Sequence, residues 1–214
     1  MRKFAILLAV GVLLLGLPAF ADSWTTFANP AGDYLTYTTN YGGGDGSGGV
    51  ITSLGTFQFS IPMAEFNVPN SWATWNCPPF TESCFPNVLY SQGATGMTLT
   101  LTAHDNIAGF ELEPDQFQQE LVQAIFHSST GDAFTLSLMP NGSAGALLFA
   151  AEDTTPGAYI TSIDIVDTAG DDFAIAQLRQ GHSPTPATPE PGTMMLFGGG
   201  LLGAIGVIRR KLNL

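Results

Sequence analysis

Most side chains in this sequence that could bind a metal ion or take part in catalysis are carboxylates. Asp164, Asp167, Asp171 and Asp172 cluster around one expected turn. Hard cations such as Ca²⁺ take carboxylate and carbonyl oxygens as ligands, so this group is a candidate calcium site. The spacing matches neither an EF-hand nor a calcium-binding repeat, and a solvated turn is the alternative because Asp stabilises turns. No other metal or cofactor is expected.

A second acidic group contains Glu111, Glu113 and Asp115. Glycosidases need two carboxylates that face a cleft. Glu111 and Glu113 share one face of an expected strand, because successive side chains of a strand point to opposite faces. No element can be assigned opposite them, so the sequence does not define a catalytic pair.

The patterns of other enzyme classes are missing from the sequence. The segment GDGSGG (44–49) matches G-x-G-x-x-G only as letters, because no βαβ pattern surrounds it. No serine lies in a G-x-S-x-G context. His104, His127 and His182 lie far apart, without the spacing of metal ligands. We therefore expect no catalytic residue and no enzymatic activity.

The amino-terminal segment is typical of a secretory signal. Arg2 and Lys3 precede an apolar run over 4–17, and Ala19 and Ala21 occupy the two positions that a signal peptidase reads. We predict a signal peptide over residues 1–21, cleaved after Ala21.

The features of the carboxyl-terminal segment follow each other in the order that is typical of a sorting signal or a membrane anchor. A Pro-rich linker (183–192) contains Pro189, Glu190 and Pro191, and an apolar stretch (193–208) follows it. As a helix this stretch is about 24 Å long, short for a hydrocarbon core of about 30 Å but sufficient with snorkelling side chains. A basic tail (209–214) completes the segment and supplies a cytoplasmic membrane stop, made of Arg209, Arg210 and Lys211. Because cations flank both apolar segments, the positive-inside rule places residues 22–182 outside the cytoplasm.

These features together resemble the PEP-CTERM proteins. The resemblance rests on the signal peptide, the Pro-Glu-Pro motif, the short Gly-rich apolar span and the cationic end. It implies a Gram-negative bacterium that makes exopolysaccharide, and an exosortase-type processing enzyme as partner besides signal peptidase. It also implies an inner-membrane-anchored precursor that faces the periplasm and is then delivered to the cell surface or extracellular matrix.

The region between the two signals is strongly acidic. Between residues 22 and 188 Arg179 is the only Lys or Arg, against seventeen Asp and Glu. Such a charge excludes nucleic acid as a partner, because no basic patch offsets phosphate. Arg179 is expected to pair with Asp172 or another carboxylate near the last strand.

Cys77 and Cys84, the only cysteines, are expected to form a disulfide because the domain is exported. A metal site is the alternative, but two cysteines without further ligands do not complete one. Beside them Trp72 and Trp75 either pack against the core, which we favour, or form an aromatic platform for a sugar.

Short segments that alternate apolar and polar residues predict a mainly β structure. The segments are 35–39, 53–61, 96–104, 133–139, 146–153, 159–167 and 172–179, with 115–127 as an ambiguous strand. Pro140-Asn141-Gly142 and residues 168–171 are expected to close two hairpins. The pattern predicts an antiparallel β-sandwich ectodomain (22–182), and residues 95–181 are similar to the jelly-roll domain of PEP-CTERM proteins.

We therefore expect a non-catalytic surface or biofilm-matrix protein, with exopolysaccharide as its partner. A secreted glycan hydrolase and a purely structural matrix component are the two alternatives.

Overall fold

The computed structural model describes residues 23–184. Four expected segments lie outside these residues: the signal peptide with Ala19 and Ala21, the Pro-Glu-Pro motif (189–191), the apolar span (193–208) and the basic tail (209–214). All described strands belong to one compact unit that ends at Ser183. Within residues 23–184, no helix has the length and apolar character needed to span a membrane.

The described residues form an all-β antiparallel structure with one short helix, which confirms the expected all-β class. The elements in chain order are β1 (Trp24–Thr26), α1 (Asp33–Tyr37), β2 (Thr38–Gly42), β3 (Val50–Leu54), β4 (Phe57–Asn67), β5 (Asn87–Tyr90), β6 (Gly96–Leu101), β7 (Ile107–Pro114), β8 (Val122–Ser128), β9 (Ala133–Leu138), β10 (Leu147–Asp153), β11 (Ile160–Asp167) and β12 (Phe173–Gly181).

The strands pair in one continuous sheet with the order β1-β10-β7-β12-β5-β4-β6-β11-β8-β9, and β2 and β3 add to β12 and β4. Phe110 of β7, Phe126 of β8 and Ile163 of β11 share one buried cluster although β7 lies five or more strands away from the other two. The sheet therefore bends around a single apolar interior.

Strand alternation explains which face is buried. Every second residue of β8 is buried, from Val122 to Ser128, whereas the residues between them are partly exposed. β7 differs because all eight of its residues are buried. Its outer face must therefore be covered by other parts of the chain, and this cover forms the candidate site.

Both predicted hairpins are wrong. β9 pairs with β8, whereas β10 pairs with β7 and β1. Similarly, β11 pairs with β6 and β8, whereas β12 pairs with β7, β5 and β2. The turns exist, but each one connects two strands that are separated in the strand order, so these consecutive strands do not pair.

Two strand boundaries also differ from the prediction. Residues 35–37 belong to α1, and the strand expected over 35–39 begins only at Thr38. The segment 53–61 is not one strand, because the chain turns at Gly55, which has a φ of 58°, and separates β3 from β4. The ambiguous segment 115–127 contributes a strand, β8, as expected.

Candidate functional site

Two loops cover the outer face of β7. The segment before and within α1 places the Tyr34 ring over Ile107 and Leu148. The segment between β4 and β5 packs Trp72 and Trp75 against residues of β5 and β12, and Trp75 also reaches Glu111 of β7. Both tryptophans are at most 7% exposed, which confirms that they pack against the core.

Glu111 lies under the second loop and is fully buried. The Trp75 indole Nε1 donates to Glu111 Oε2 at 3.0 Å, and the backbone N–H of Glu82 donates to Oε1 at 2.6 Å. Burial raises the pKa of Glu111 to about 8, although both hydrogen bonds favour the charged form. The carboxyl group therefore holds the covering loop in place and has no open side for a substrate.

Arg179 pairs with Glu82, not with Asp172. Its Nε and Nη2 donate to Oε1 and Oε2 of Glu82 at 2.6 and 2.8 Å. A third hydrogen bond joins Arg179 Nη1 to the carbonyl of Thr38 at 3.0 Å. Arg179 lies just after a bulge of β12, where Gln177 has a φ of 49°. This bulge directs the guanidinium towards the covering loop.

Glu113 lies two residues further along the same face of β7. Its Oε1 accepts from the Thr74 hydroxyl at 2.6 Å and from the Ala144 N–H at 3.2 Å, whereas its buried Oε2 accepts no hydrogen bond. Burial raises the pKa of Glu113 to about 7. The structure thus places Glu111 and Glu113 on one face, as predicted, and covers both.

A shallow pocket of about 180 Å³ lies beside Thr74. Its aromatic lining is Trp72, which is nearly buried, and Phe117, which is 70% exposed. The full set of lining residues is Ser71, Trp72, Ala73, Thr74, Asp115, Phe117 and Gly142. Tyr90 packs under Trp72 with ring centroids 5.5 Å apart and donates a hydrogen bond to Asp172. The pocket therefore combines one exposed ring with hydroxyl and carboxylate groups.

Cys77 and Cys84 form a disulfide, as expected, within the loop that covers Glu111. Glu82 lies inside the eight-residue ring that this bond closes. The disulfide thus fixes the segment around Glu82. The Glu82 side chain binds Arg179, and its backbone N–H binds Glu111.

The structure separates the four calcium candidates. Asp164 accepts hydrogen bonds from Thr98 and His127, at 2.6 and 2.8 Å. Asp172 accepts from Tyr90 and from the Gly93 N–H. Asp167 is buried at the end of β11, and Asp171 lies near it in the following turn. In residues 23–184, no three His, Cys, Asp or Glu side chains are arranged to hold a metal ion together.

The histidines and the Gly-rich segment have other neighbours. His104 stacks on Tyr159, and His127 pairs with Asp164. The segment 44–49 wraps around Glu65, which accepts from the Asp45 N–H at 2.9 Å. The glycines thus allow close packing around a carboxylate.

Sequence reasoning missed Glu82 and Glu120. Glu82 lies in a loop without periodicity, so its sequence context gives no sign that it is paired. Glu120 precedes β8 in a polar stretch, yet it is 2% exposed. Its neighbours Gln119 and Leu121 gave no signal for this burial.

The end of the chain contains a known sorting motif. Residues 187–211 match the family model of the PEP-CTERM protein-sorting motif. The chain is thus a protein that contains a PEP-CTERM motif. A PEP-CTERM motif implies export, processing by an exosortase-type enzyme and sorting to the cell envelope. No curated protein matches this PEP-CTERM chain.

Several solved structures have a weak likeness to the PEP-CTERM chain. The enzymatically active domain of bacteriophage CBA120 tailspike protein 4 is 17% identical with a TM-score of 0.37, and the match covers 66% of this chain but 21% of the tailspike. A family 29 carbohydrate-binding module from Piromyces equi is 10% identical, with a TM-score of 0.32 and coverage of 76% and 93%. The family 11 carbohydrate-binding module of a Clostridium thermocellum cellulosomal cellulase is 11% identical, with a TM-score of 0.31 and coverage of 78% and 99%. Likenesses this weak carry no argument about the ligand of this chain.

Proposed function

We propose that this PEP-CTERM protein is an exported cell-surface or biofilm-matrix protein that binds a neutral polysaccharide without cleaving it. Delivery is supported by the sorting motif at residues 187–211. Binding is supported by one observation, the 70% exposed ring of Phe117 beside a pocket with polar side chains.

The delivery route uses both ends of the chain. Residues 1–21 act as a cleaved signal peptide, and residues 193–208 hold the precursor in the inner membrane with the folded domain in the periplasm. An exosortase then cleaves near Pro189-Glu190-Pro191, and the domain reaches the cell surface or the matrix.

The pocket suits one ring of a sugar chain that runs along the surface. Its volume of about 180 Å³ is smaller than the roughly 300–1,000 Å³ of sites that enclose drug-sized ligands. The face of Phe117 offers an apolar contact, and Ser71, Thr74 and Asp115 offer hydrogen-bonding groups beside it. Several copies of the protein held together in the matrix would bind one polymer more tightly than a single copy does.

The charge of the domain favours a neutral polymer. Residues 22–188 carry one Arg against seventeen acidic side chains. An anionic polysaccharide would meet repulsion at Asp115 and across the rest of the surface. A neutral glycan instead accepts or donates hydrogen bonds at the pocket without this electrostatic penalty.

The cover over β7 supports binding without cleavage. Burial raises the pKa values of Glu111 and Glu113 towards those of general acids. Both are fully buried. Trp75 and the Glu82 backbone N–H bind the two oxygens of Glu111, and Thr74 binds one oxygen of Glu113. On this proposal they hold the covering loop on a β-sheet that serves as a binding scaffold.

Binding is tested with the full-length chain, purified from whichever cell fraction holds it. Affinity electrophoresis in gels containing neutral or anionic polysaccharides should show retardation by a neutral polymer and no release of reducing sugar. If no polysaccharide retards the protein, a purely structural role in the matrix is the remaining function. Release of reducing sugar, lost in Glu113→Gln, would establish a hydrolase in place of the binding function.

Delivery is tested by the mass of the intact protein exported by the native host. We expect a mass that lacks residues 1–21 and the apolar end after the Pro-Glu-Pro motif. A mass that still includes residues 193–214 would instead indicate a permanent membrane anchor. Replacement of Pro189, Glu190 and Pro191 by alanine should retain the unprocessed precursor in the cell.

A further inference from the structure

Two buried carboxylates face each other where β11 ends and β8 begins. Glu120 is 2% exposed and Asp167 is 3% exposed. Each uses one oxygen within the chain: Glu120 Oε1 accepts from Gln118 Nε2 at 3.0 Å, and Asp167 Oδ1 accepts from the Ala169 N–H at 2.8 Å. The remaining oxygens, Glu120 Oε2 and Asp167 Oδ2, are buried and accept no hydrogen bond.

The two residues lie side by side, because Asp167 pairs with Val122, two residues after Glu120, and the Thr168 N–H donates to the Leu121 carbonyl at 3.0 Å. Two ionised carboxylates cannot hydrogen-bond without a proton between them, and burial of an unpaired charge is costly. An occupant that carries positive charge is therefore required between Glu120 and Asp167, either a proton or a cation.

The surroundings add negative charge. Besides burial, the carboxyl group of Asp171 raises the pKa of Glu120, and the charges of Asp172 and Asp171 raise that of Asp115. The cationic and imidazole side chains of residues 23–184 do not neutralise this cluster, because each has a partner elsewhere. Arg179 binds Glu82, His127 binds Asp164, His104 stacks on Tyr159 and the charge of His182 acts on Asp105.

We propose that Glu120 and Asp167 bind a calcium ion through their two unpaired oxygens. The two carboxylates supply the side-chain ligands, and main-chain carbonyls and water complete the coordination shell. Ca²⁺ accepts this mixture because it takes six to eight oxygens in a flexible geometry. Mg²⁺ demands a near-ideal octahedron and releases water reluctantly, and Zn²⁺ favours nitrogen and sulfur ligands, which this cluster lacks.

The ion would connect two parts of the sheet. Asp167 ends β11 and closes the turn that leads to β12, whereas Glu120 precedes β8 and is tied by its N–H to the carbonyl of Pro140 at 3.1 Å. Calcium would thus stabilise the turns at this edge of the fold. This inference does not depend on polysaccharide binding.

The test measures calcium binding and thermal unfolding of the full-length chain after treatment with a chelator. Equilibrium dialysis against radioactive calcium should show one ion per chain, with a dissociation constant on the order of 10⁻⁴–10⁻³ M, as in other extracellular modules. At about 10 mM Ca²⁺ the Tm should rise by roughly 3–10 °C, and the same concentration of Mg²⁺ should raise it less.

Variants assign the ligands. Glu120→Gln and Asp167→Asn should each weaken calcium binding by about tenfold or more and remove the rise in Tm. Asp164→Asn is the matched control, because Asp164 belongs to the same strand but points to the opposite face and binds Thr98 and His127. This control should keep both calcium binding and the rise in Tm.

Three results would overturn the proposal. One is wild-type protein that binds no calcium, which would leave a shared proton between the two carboxyl groups. Another is calcium binding that Glu120→Gln and Asp167→Asn both retain. The third is an equal response to Mg²⁺, which would contradict the choice of ion. If either variant fails to fold, the other variant and the wild-type dialysis decide the question.

Discussion

Arg179 and Glu82 form a bidentate ion pair in which two nitrogens of one guanidinium bind the two oxygens of one carboxylate, at 2.6 and 2.8 Å. Their side chains are only 12% and 13% exposed. The pair joins β12 to the disulfide loop, and the N–H of the same Glu82 binds Glu111. One loop residue thus contacts the only Arg of the domain and a fully buried carboxyl group of β7.

Arg179→Met should lower the free energy of unfolding by about 3–5 kcal/mol, because it leaves the Glu82 carboxylate buried without a partner. Chemical unfolding of the full-length chain measures this change. The double variant Arg179→Met/Glu82→Leu should recover most of the loss, since it removes both charges together. If Arg179→Met is as stable as the wild type, water already hydrates the Glu82 carboxylate.

The sequence predicts the strands of this fold better than their partners. Period-two alternation locates most strands, because burial of one face imposes that pattern on the residues themselves. It contains no information on whether two consecutive strands pair or lie opposite each other, and both predicted hairpins failed for that reason. β7 is the informative exception, because its outer face is buried by loops whose sequences carry no periodic signal.

The same limit applies to the candidate site. Composition identified the acidic residues and the disulfide, and alternation placed Glu111 and Glu113 on one face. Glu82, which binds Arg179, lies 97 residues before it in the chain. Glu120, which acts on Asp167, lies 47 residues before it. Such contacts depend on how distant loops fold over the sheet, which local sequence patterns do not determine.

Tyr34→Phe should raise the free energy of unfolding by about 1 kcal/mol. The Tyr34 hydroxyl is fully buried against Gly109 and has no hydrogen-bond partner, and an unsatisfied buried polar group costs about 1–3 kcal/mol. Urea unfolding measures the change. Tyr37→Phe is the control on the same helix and should stay within about 0.5 kcal/mol of the wild type. A loss of stability in Tyr34→Phe would indicate that a buried water binds the hydroxyl.

Glu113→Gln should make the protein more stable at pH 8 by a few kcal/mol relative to the wild type, while changing stability less at pH 5. The pKa of Glu113 is about 7 in the folded chain and about 4.3 in an unfolded one. The folded state therefore binds more protons over this interval, and the free energy of unfolding falls as pH rises from about 4.3 to about 7. Glu111, with a pKa of about 8, acts in the same direction.

Unfolding in urea at pH 5 and pH 8, with a chelator present, measures this difference. The wild type should be less stable at pH 8 than at pH 5, and the variant should lose part of that difference. An equal effect of Glu113→Gln at both pH values would mean that Glu113 does not change protonation in this range.

Cys77→Ser/Cys84→Ser should lower the free energy of unfolding by about 2.5 kcal/mol, the loop-closure entropy for a ring of eight residues. The loop should also loosen over Glu111, because Glu82 and Trp75 reach Glu111 from within or beside the ring. Tryptophan fluorescence should shift to longer wavelength as Trp72 and Trp75 gain contact with water. An unchanged spectrum together with unchanged stability would show that packing alone holds the cover.

Phe117→Ala should abolish retardation by a neutral polysaccharide, corresponding to a loss of affinity of about tenfold or more. Stacking on an aromatic face contributes about 1–3 kcal/mol in other ring ligands, and Phe117 is the exposed ring of the pocket. Phe85→Ala is a matched control, because Phe85 is also 70% exposed but does not line the pocket. In affinity electrophoresis, the polysaccharide should retard Phe85→Ala as much as the wild type, whereas Phe117→Ala should migrate without retardation. Equal losses of retardation in the two variants would show that this pocket is not the binding site, because only a diffuse apolar contact would depend on both rings.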